Sequence, residues 1–324
     1  MATKWGILGT GNIAGQFARG LAAMPDAELV AVGSRTQESA ARFAAAHGAA
    51  RAHGSYEALA ADPEVEAVYI ATPHPLHLSN SLLCIDAGKA VLCEKPFTLN
   101  AAETEQLIGA ARAKGVFVME AMWTRFFPIM TRLREIVAAG TIGEIKLLQA
   151  DFGYYSDFDA ASRVYDPNLG GGALLDVGVY PVSLASFLLG TPTAVSSRAY
   201  LGQTGVDEHA AIILEHEGGA LALISTAVRA TTPQEAVIMG TRGHVRLSAP
   251  WWKPETLVVH TAAGEETIYE PLPHNGYPYE VAEVARCLRE GLSESPVMPL
   301  DETLRVMQTL DTCRAQWGMK YPGE

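Results

Sequence analysis

The chain has 324 residues, of which 48% are hydrophobic and 19% charged, a balance typical of globular proteins and unlike that of disordered chains. At about 150 residues per domain, this length predicts two domains. The 36 acidic and 24 basic side chains give a net charge of −12, which argues against nucleic acid as the main partner.

Cysteine spacing, hydropathy and the start of the chain indicate where the protein works. The four cysteines are scattered without a C-x-x-C pair, which fits a reducing cytosol, and neither they nor the nine histidines have metal-ligand spacing. A glycine-rich turn begins as early as Gly9, so we expect no signal peptide. Charges and prolines interrupt the apolar stretches, so we expect no membrane span. These features predict a cytoplasmic protein without a metal.

The first part of the chain alternates strand-like and helix-like patterns. We predict strands over residues 4–8, 28–32, 65–71, 90–93 and 116–119. Helical patterns separate them, which indicates parallel βαβ units with right-handed crossovers. Residues 1–122 are therefore predicted to form a dinucleotide-binding domain.

The pattern changes from residue 123 onward. Helical spacing near residues 129–137 and 175–188 is followed by short strand-like runs that glycine-containing turns such as Glu217-Gly218-Gly219 connect. Such turns indicate hairpins and a largely antiparallel sheet. Residues 123–324 are predicted to form an α+β domain, whose last helix can pack back on the first domain.

A glycine motif, Gly9-x-Gly11-x-x-Ala14, follows the first predicted strand and begins the first helix. Its glycines permit a tight turn and bring the backbone close to a pyrophosphate at the helix N-terminus. The same pattern also occurs as an ordinary turn in α/β proteins, but its place in a βαβ unit favours dinucleotide binding. The predicted cofactor-binding residues here are Gly9, Thr10, Gly11, Asn12 and Ile13.

The end of the second predicted strand indicates which cofactor binds. A carboxylate there would bind the ribose hydroxyl of NAD, whereas an arginine accommodates the 2′-phosphate of NADP. This chain has Ser34 and Arg35 and no carboxylate at that point. The alternative for Arg35 is a solvated surface side chain. We predict NADP, with NAD less favoured.

The loop after the third predicted strand carries Thr72, Pro73, His74 and His77. Ligands of such sheets bind outside the carboxyl ends of the strands, so this loop is predicted to contact the cofactor. A capping or packing role is the alternative for His77.

Glu94, Lys95 and Pro96 end the next predicted strand on the same side, and Glu94 and Lys95 are also predicted to contact the cofactor. A lysine in that place can be desolvated and can exchange a proton with substrate. A lone lysine before a proline is ordinarily a surface residue, so the prediction depends on the accompanying motifs.

Asp176 and Tyr180 lie four residues apart on a predicted helix and would share one face. A phenol and a carboxylate presented together can orient a substrate alcohol and exchange its proton. The alternative is a carboxylate that stabilises the helix N-terminus beside a packed tyrosine.

Together these motifs resemble the glucose–fructose oxidoreductase, inositol dehydrogenase and rhizopine-catabolism family (Gfo/Idh/MocA) over nearly the whole chain. Residues 120–126, 171–180 and 279–288 are similar to the branch that holds dimeric dihydrodiol dehydrogenases and NADP-dependent D-xylose 1-dehydrogenases. The resemblance implies an N-terminal Rossmann domain and a C-terminal α+β domain with an open-faced, largely antiparallel sheet. It also implies an active site between the domains and a homodimer paired through the sheet faces.

The resemblance further assigns roles to single residues. Lys95 and Tyr180 are implied as the pair that handles the proton, Asp176 as their support, and Trp123 and Arg125 as additions to the cofactor-binding set. Inositol dehydrogenase-like members have histidine at the position of Tyr180, which argues against inositol-type substrates here.

The expected function is an NADP-dependent dehydrogenase that oxidises a hydroxyl of a cyclic aldose similar to D-xylose, or of a trans-dihydrodiol. One alternative is an oxidoreductase for another carbohydrate, such as an anhydro- or keto-sugar. The other is a non-catalytic NADP-binding sensor, which would not need an acid–base pair.

Overall fold

The computed structural model describes residues 2–324, which form two compact units. The first unit runs through Thr98 and adds Ala102–Trp123 and Leu272–Thr303, and the second unit holds Leu99–Ala101, Thr124–Pro271 and Leu304–Glu324. The α-helices are α1 (Asn12–Leu21), α2 (Gln37–His47), α3 (Tyr56–Ala60), α4 (His77–Asp86), α5 (Ala101–Lys114), α6 (Pro128–Ala138), α7 (Val179–Leu189), α8 (Tyr277–Arg289) and α9 (Leu300–Trp317).

A six-stranded parallel sheet forms the centre of the first unit. Its strands are β1 (Thr3–Leu8), β2 (Ala27–Gly33), β3 (Arg51–His53), β4 (Ala67–Ile70), β5 (Ala90–Glu94) and β6 (Val118–Ala121). They are ordered β3-β2-β1-β4-β5-β6, the doubly wound order of dinucleotide-binding folds. This order confirms the Rossmann prediction. The sequence did not predict β3, whose three residues are too few to give a periodic pattern.

Burial explains why these apolar segments form strands. Every residue of β4 and β5 is buried, because helices cover both faces of a parallel sheet. Polar caps fix where two of the helices begin: Thr36 accepts a hydrogen bond from the N–H of Ser39 before α2, and Ser55 accepts one from Ala58 before α3.

The second unit contains an eight-stranded mixed sheet. Its strands are β7 (Ile145–Gly153), β8 (Ala194–Leu201), β9 (Asp207–Glu215), β10 (Leu221–Ala227), β11 (Ala236–Gly240), β12 (Gly243–Leu247), β13 (Thr256–Thr261) and β14 (Gly264–Tyr269). Their order is β14-β13-β12-β11-β7-β10-β9-β8, and only β7 and β10 pair in parallel. The prediction of a largely antiparallel sheet is confirmed. Residues 210–215 of β9 alternate between buried and exposed, so one face packs in the core and the other is open.

Pro167–Leu189 is the segment of residues 2–324 that is long and apolar enough to cross a membrane by length and composition alone. An 18-residue stretch of this segment has a mean hydropathy of 1.6, although Asp176 and Pro181 interrupt the apolar sequence. Of that stretch, 83% is buried inside the protein. The segment is apolar because it forms part of the core of the second unit.

Candidate active site

The glycine turn after β1 has the geometry that a dinucleotide phosphate needs. Gly9 has a φ of +106°, and a Cβ on it would lie 2.7 Å from the carbonyl oxygen of Ala71, so only glycine fits. At Gly11 a Cβ would meet nothing within 4 Å, and no side chain caps the N-terminus of α1 there. The N–H groups of the first turn, which have no partner inside the helix, are therefore available to an anion that approaches at Gly11.

Hydroxyl groups connect this turn to the loop after β2. The Oγ1 atom of Thr10 lies 3.2 Å from the Oγ of Ser34 and 2.9 Å from that of Ser39. Ser34 is buried, whereas Arg35 is exposed and forms no ion pair with a carboxylate anywhere in residues 2–324. The loop thus holds the hydroxyls in place and leaves the Arg35 guanidinium available to a phosphate.

The loops after β4 and β5 are held together by His77. Its ring is fully buried, with Nδ1 2.8 Å from the carbonyl oxygen of Pro96 and Nε2 2.8 Å from that of Thr72. Burial lowers the pKa of His77, although its contacts with the carbonyls oppose the shift. These contacts correspond to the packing role that the sequence left as the alternative. Asn80 also donates a hydrogen bond of 3.1 Å to Oγ1 of Thr72.

Glu94 supports the backbone at Lys95. One carboxylate oxygen accepts a hydrogen bond from the phenol of Tyr69, and the other lies 3.1 Å from the backbone nitrogen of Lys95, which donates to it. Burial and the nearby charge of Glu94 raise the pKa of Tyr69 well above its ordinary value, so the phenol stays a donor. The carboxyl of Glu280 is fully buried near Glu94, and the same two causes raise its pKa. Sequence reasoning assigned no role to Tyr69, which lies in no motif, or to Glu280, which entered only through the resemblance of residues 279–288.

Trp123 and Arg125 fall in different units. In the first unit, Trp123 stacks on Tyr277 with ring centroids 5.0 Å apart. In the second, the buried guanidinium of Arg125 lies 3.0 Å from both the carbonyl oxygen and the Oγ of Ser183 in α7 and 4.9 Å from the ring centroid of Phe187. These contacts of Arg125 stabilise the helix that carries Tyr180.

Asp176 lies in a π-helical turn, Leu174–Gly178, that leads directly into α7. The sequence predicted an α-helical face shared with Tyr180, but i→i+5 bonding widens the turn, so α-helical spacing does not apply there. The carboxylate is nearly buried, and Arg163 Nη1 donates to its Oδ1 over 2.9 Å while the Tyr154 hydroxyl donates to its Oδ2 over 2.6 Å. Both oxygens therefore have fixed partners.

Aromatic rings surround the side chain of Tyr180. The ring of Phe152 lies 5.3 Å from it, and Trp252 stacks on Phe152 with centroids 4.9 Å apart and planes within 2° of parallel. Such rings can contact the flat face of a cyclic substrate while the phenol binds a hydroxyl. Sequence reasoning assigned no individual role to Phe152, Tyr154, Arg163 or Trp252. The concentration of aromatic and charged residues at the end of β7 and in the segment that follows it was the signal that could have indicated Phe152, Tyr154 and Arg163.

Family comparisons cover most of the chain. Residues 3–122 match the oxidoreductase family with an NAD-binding Rossmann fold (GFO_IDH_MocA), and residues 130–246 match the GFO/IDH/MocA C-terminal domain. The chain is also 39% identical to the trans-1,2-dihydrobenzene-1,2-diol dehydrogenase of Xenopus laevis, over 99% of this chain and 100% of that protein. The enzyme of the same name from Mus musculus is 40% identical over 99% of both chains.

Solved structures with similar folds are also oxidoreductases. KijD10, a 3-ketoreductase from Actinomadura kijaniata solved with NADP and TDP-benzene, matches with a TM-score of 0.86 and 26% identity, over 97% of this chain and 98% of that one. An aldose-aldose oxidoreductase from Caulobacter crescentus, complexed with glycerol, matches with a TM-score of 0.88 over 98% of both chains. At 23% identity, the second likeness supports the fold alone.

Proposed function

Because this chain belongs to the GFO/IDH/MocA family of NAD(P)-dependent oxidoreductases, we propose that it is an NADP-dependent dehydrogenase of cyclic diols. Its substrate is a trans-dihydrodiol or a cyclic aldose similar to D-xylose. The observation that carries this proposal is the phenol of Tyr180 set against the rings of Phe152 and Trp252. The relatives named as dihydrodiol dehydrogenases support the diol, and they match the chain over nearly its full length.

The proposed cofactor is NADP, bound by the glycine turn and by Arg35. The open N-terminus of α1 at Gly11 fits the pyrophosphate, and the exposed guanidinium fits a 2′-phosphate. When bound, the nicotinamide supplies the redox chemistry by accepting hydride from the substrate carbon. KijD10, solved with NADP, supports this choice.

The proposed proton step belongs to Lys95 and Tyr180. One of the two, at Nζ or at the phenolic oxygen, removes the proton of the hydroxyl that is oxidised, and the other stabilises the charge that develops. Asp176 is the supporting anion, since Tyr154 and Arg163 already occupy its two oxygens. A non-catalytic sensor would need no group that removes a proton, no group that stabilises the developing charge and no supporting anion.

We further propose that residues 1–122 bind the cofactor while residues 123–324 bind substrate and a second subunit. The open sheet face of the second unit exposes Leu147, Ile213 and Leu223 on neighbouring strands. Large exposed apolar surfaces commonly mark partner sites, which supports a homodimer through this face. All four cysteines are buried free thiols, which supports a cytoplasmic location.

A substrate panel tests the proposed function. The purified protein is mixed with NADP and, separately, trans-1,2-dihydrobenzene-1,2-diol, D-xylose and an anhydro-sugar, and the absorbance of the reduced nicotinamide is followed. A keto-sugar is tested with NADPH in the reverse direction, and Tyr180→Phe is the control for the reaction. We expect the fastest reduction with the diol or with D-xylose. A faster reaction with the anhydro- or keto-sugar would assign another carbohydrate, and cofactor binding without any absorbance change would indicate a sensor.

A further inference from the structure

Asp207 is a fully buried carboxyl at the start of β9 that no sequence motif indicated. Its Oδ2 accepts a hydrogen bond of 2.7 Å from the backbone N–H of Leu174, the first residue of the π-helical turn. Its Oδ1 has no hydrogen-bond partner among residues 2–324. Gly172 has a φ of +112°, and a Cβ there would collide with this Oδ1 atom. The carboxyl therefore packs directly against the chain that enters the turn.

The residues next to Leu174 are fixed as well. The carbonyl oxygen of Gly171 accepts a hydrogen bond of 2.7 Å from the phenol of Tyr321. The carbonyl oxygen of Ala173 accepts one of 3.2 Å from Oγ1 of Thr226. These two contacts are made by neutral hydroxyls. Asp207 is the carboxyl among the side chains that bind this entry, and Leu174, whose N–H it binds, lies two residues before Asp176.

We propose that Asp207 is a positioning residue for the proton step: its carboxylate, bound to the N–H of Leu174, fixes the π-helical turn and so the placement of Asp176 and Tyr180. This inference rests on the proposed function. A carboxylate accepting from a backbone N–H at the start of a helical turn is held more strongly than a neutral cap. Loss of the charge would let Asp176 move relative to Tyr154 and Arg163 without removing any catalytic group.

The surroundings of Asp207 make this contact sensitive to pH. Burial raises the pKa of Asp207 to about 7, although the N–H of Leu174 and the positive charge of Arg314 oppose the shift. The other titratable groups that face it are Cys313 and Tyr321, and burial raises the pKa of both, so they stay neutral. The carboxylate therefore forms within the neutral range, and the contact with Leu174 strengthens as pH rises.

The test compares wild type with Asp207→Asn, which keeps an oxygen acceptor but loses the charge. We expect kcat for diol oxidation to fall by roughly 10-fold or more, the size of one hydrogen bond to a charged group, with KM for NADP unchanged. The acid limb of the kcat–pH profile near neutrality should disappear. Ser55→Ala removes a helix cap in the first unit, and as the matched control it should leave the profile unchanged.

A second measurement does not depend on activity. The pKa of Asp207 is higher in the folded protein than the value of about 3.9 in an unfolded chain, so its contribution to stability is lost as pH rises from about 4 to 7. The melting temperature of Asp207→Asn should therefore rise relative to wild type over that interval. Should Asp207→Asn not accumulate as folded protein, Asp207→Ser is used in its place in both measurements, because serine keeps an oxygen that can accept the hydrogen bond.

The outcomes separate the two proposals. If wild type oxidises none of the panel substrates, the proposed function fails. The melting series alone then decides whether the charge of Asp207 contributes to the dependence of stability on pH. If wild type is active and Asp207→Asn keeps its kcat and its pH profile, the inference about Asp207 is overturned. A melting difference that does not change with pH, or an equal change of profile in Ser55→Ala, would also overturn it.

Discussion

The phenol of Tyr154 donates a hydrogen bond of 2.6 Å to Oδ2 of Asp176, while Arg163 holds the other oxygen at 2.9 Å. Burial and the charge of Asp176 raise the pKa of Tyr154 above its ordinary value, so the phenol keeps its proton. A carboxylate with both oxygens engaged is suited to hold charge and geometry rather than to exchange protons. This arrangement supports the proposal that Lys95 and Tyr180, rather than Asp176, transfer the proton.

Replacing Tyr154 with phenylalanine tests the supporting role of Asp176. One hydrogen bond to a charged group is lost, so kcat should fall by roughly 10- to 150-fold, and the Kd for NADP should stay the same. Tyr155→Phe is the matched control, because Tyr155 is 57% exposed and its hydroxyl binds Asp157 instead. Equal kcat values for the two variants in steady-state kinetics would show that the bond to Asp176 does not matter.

Arg35 should decide between the two cofactors. Arg35→Ala removes a charge-assisted pair with the 2′-phosphate, so the Kd for NADP should rise by roughly 10- to 150-fold while that for NAD hardly changes. Arg42→Ala is the control, because Arg42 is exposed on α2 and pairs with Glu38. Fluorescence titration of each variant with both cofactors measures the difference. Equal losses for NADP and NAD would contradict the role of Arg35.

Gly11 offers a way to separate cofactor binding from folding. Because a Cβ at this position meets no atom of residues 2–324 within 4 Å, Gly11→Ala should cost no more than about 1 kcal/mol in stability, the difference between glycine and alanine at an N-cap. The same methyl group would occupy the space proposed for the pyrophosphate, so the Kd for NADP should rise at least 10-fold. Gly109→Ala, also in open space but within α5, is the control for both thermal melting and titration. Unchanged NADP binding in Gly11→Ala would place the phosphate elsewhere.

The open sheet face should pair two subunits. Leu223→Asp puts a charge in the middle of that face and should shift the protein from dimer to monomer in sedimentation at micromolar concentration. Leu292→Asp is the control, since Leu292 is equally exposed (38%) but belongs to the first unit. A wild-type protein that sediments as a monomer would contradict the homodimer, as would a Leu223→Asp variant that remains dimeric.

Much of the fold could be predicted because its signals are local. Apolar runs separated by helical patterns predicted the parallel sheet, and glycine-containing turns such as the one at Gly218 predicted the antiparallel one. The glycine motif was informative because Gly9 is required by its backbone conformation, and because Gly11 leaves open the space proposed for the pyrophosphate. β3 was missed because three half-buried residues leave no periodic pattern.

The candidate site was harder to predict because its contacts are long-range. The bond from Tyr154 to Asp176 spans 22 residues, and the one from Leu174 to Asp207 spans 33. No local pattern indicates them. The π-helical turn was also hidden, because the apolar spacing of residues 174–180 equally fits an α-helix.

The proton pair is tested most directly by a double-mutant cycle on Lys95 and Tyr180. Steady-state kcat for NADP reduction by the best diol or sugar is measured for wild type, Tyr180→Phe, Lys95→Ala and the double variant, with hydride transfer rate-limiting. General acid–base catalysis is worth roughly 10²- to 10⁴-fold, so each single change should lower kcat by about that factor. Since both residues serve one step, the double variant should lose far less than the product of the two factors. A Tyr180→Phe enzyme that keeps more than about a third of wild-type kcat, or losses that simply multiply, would contradict the shared proton step.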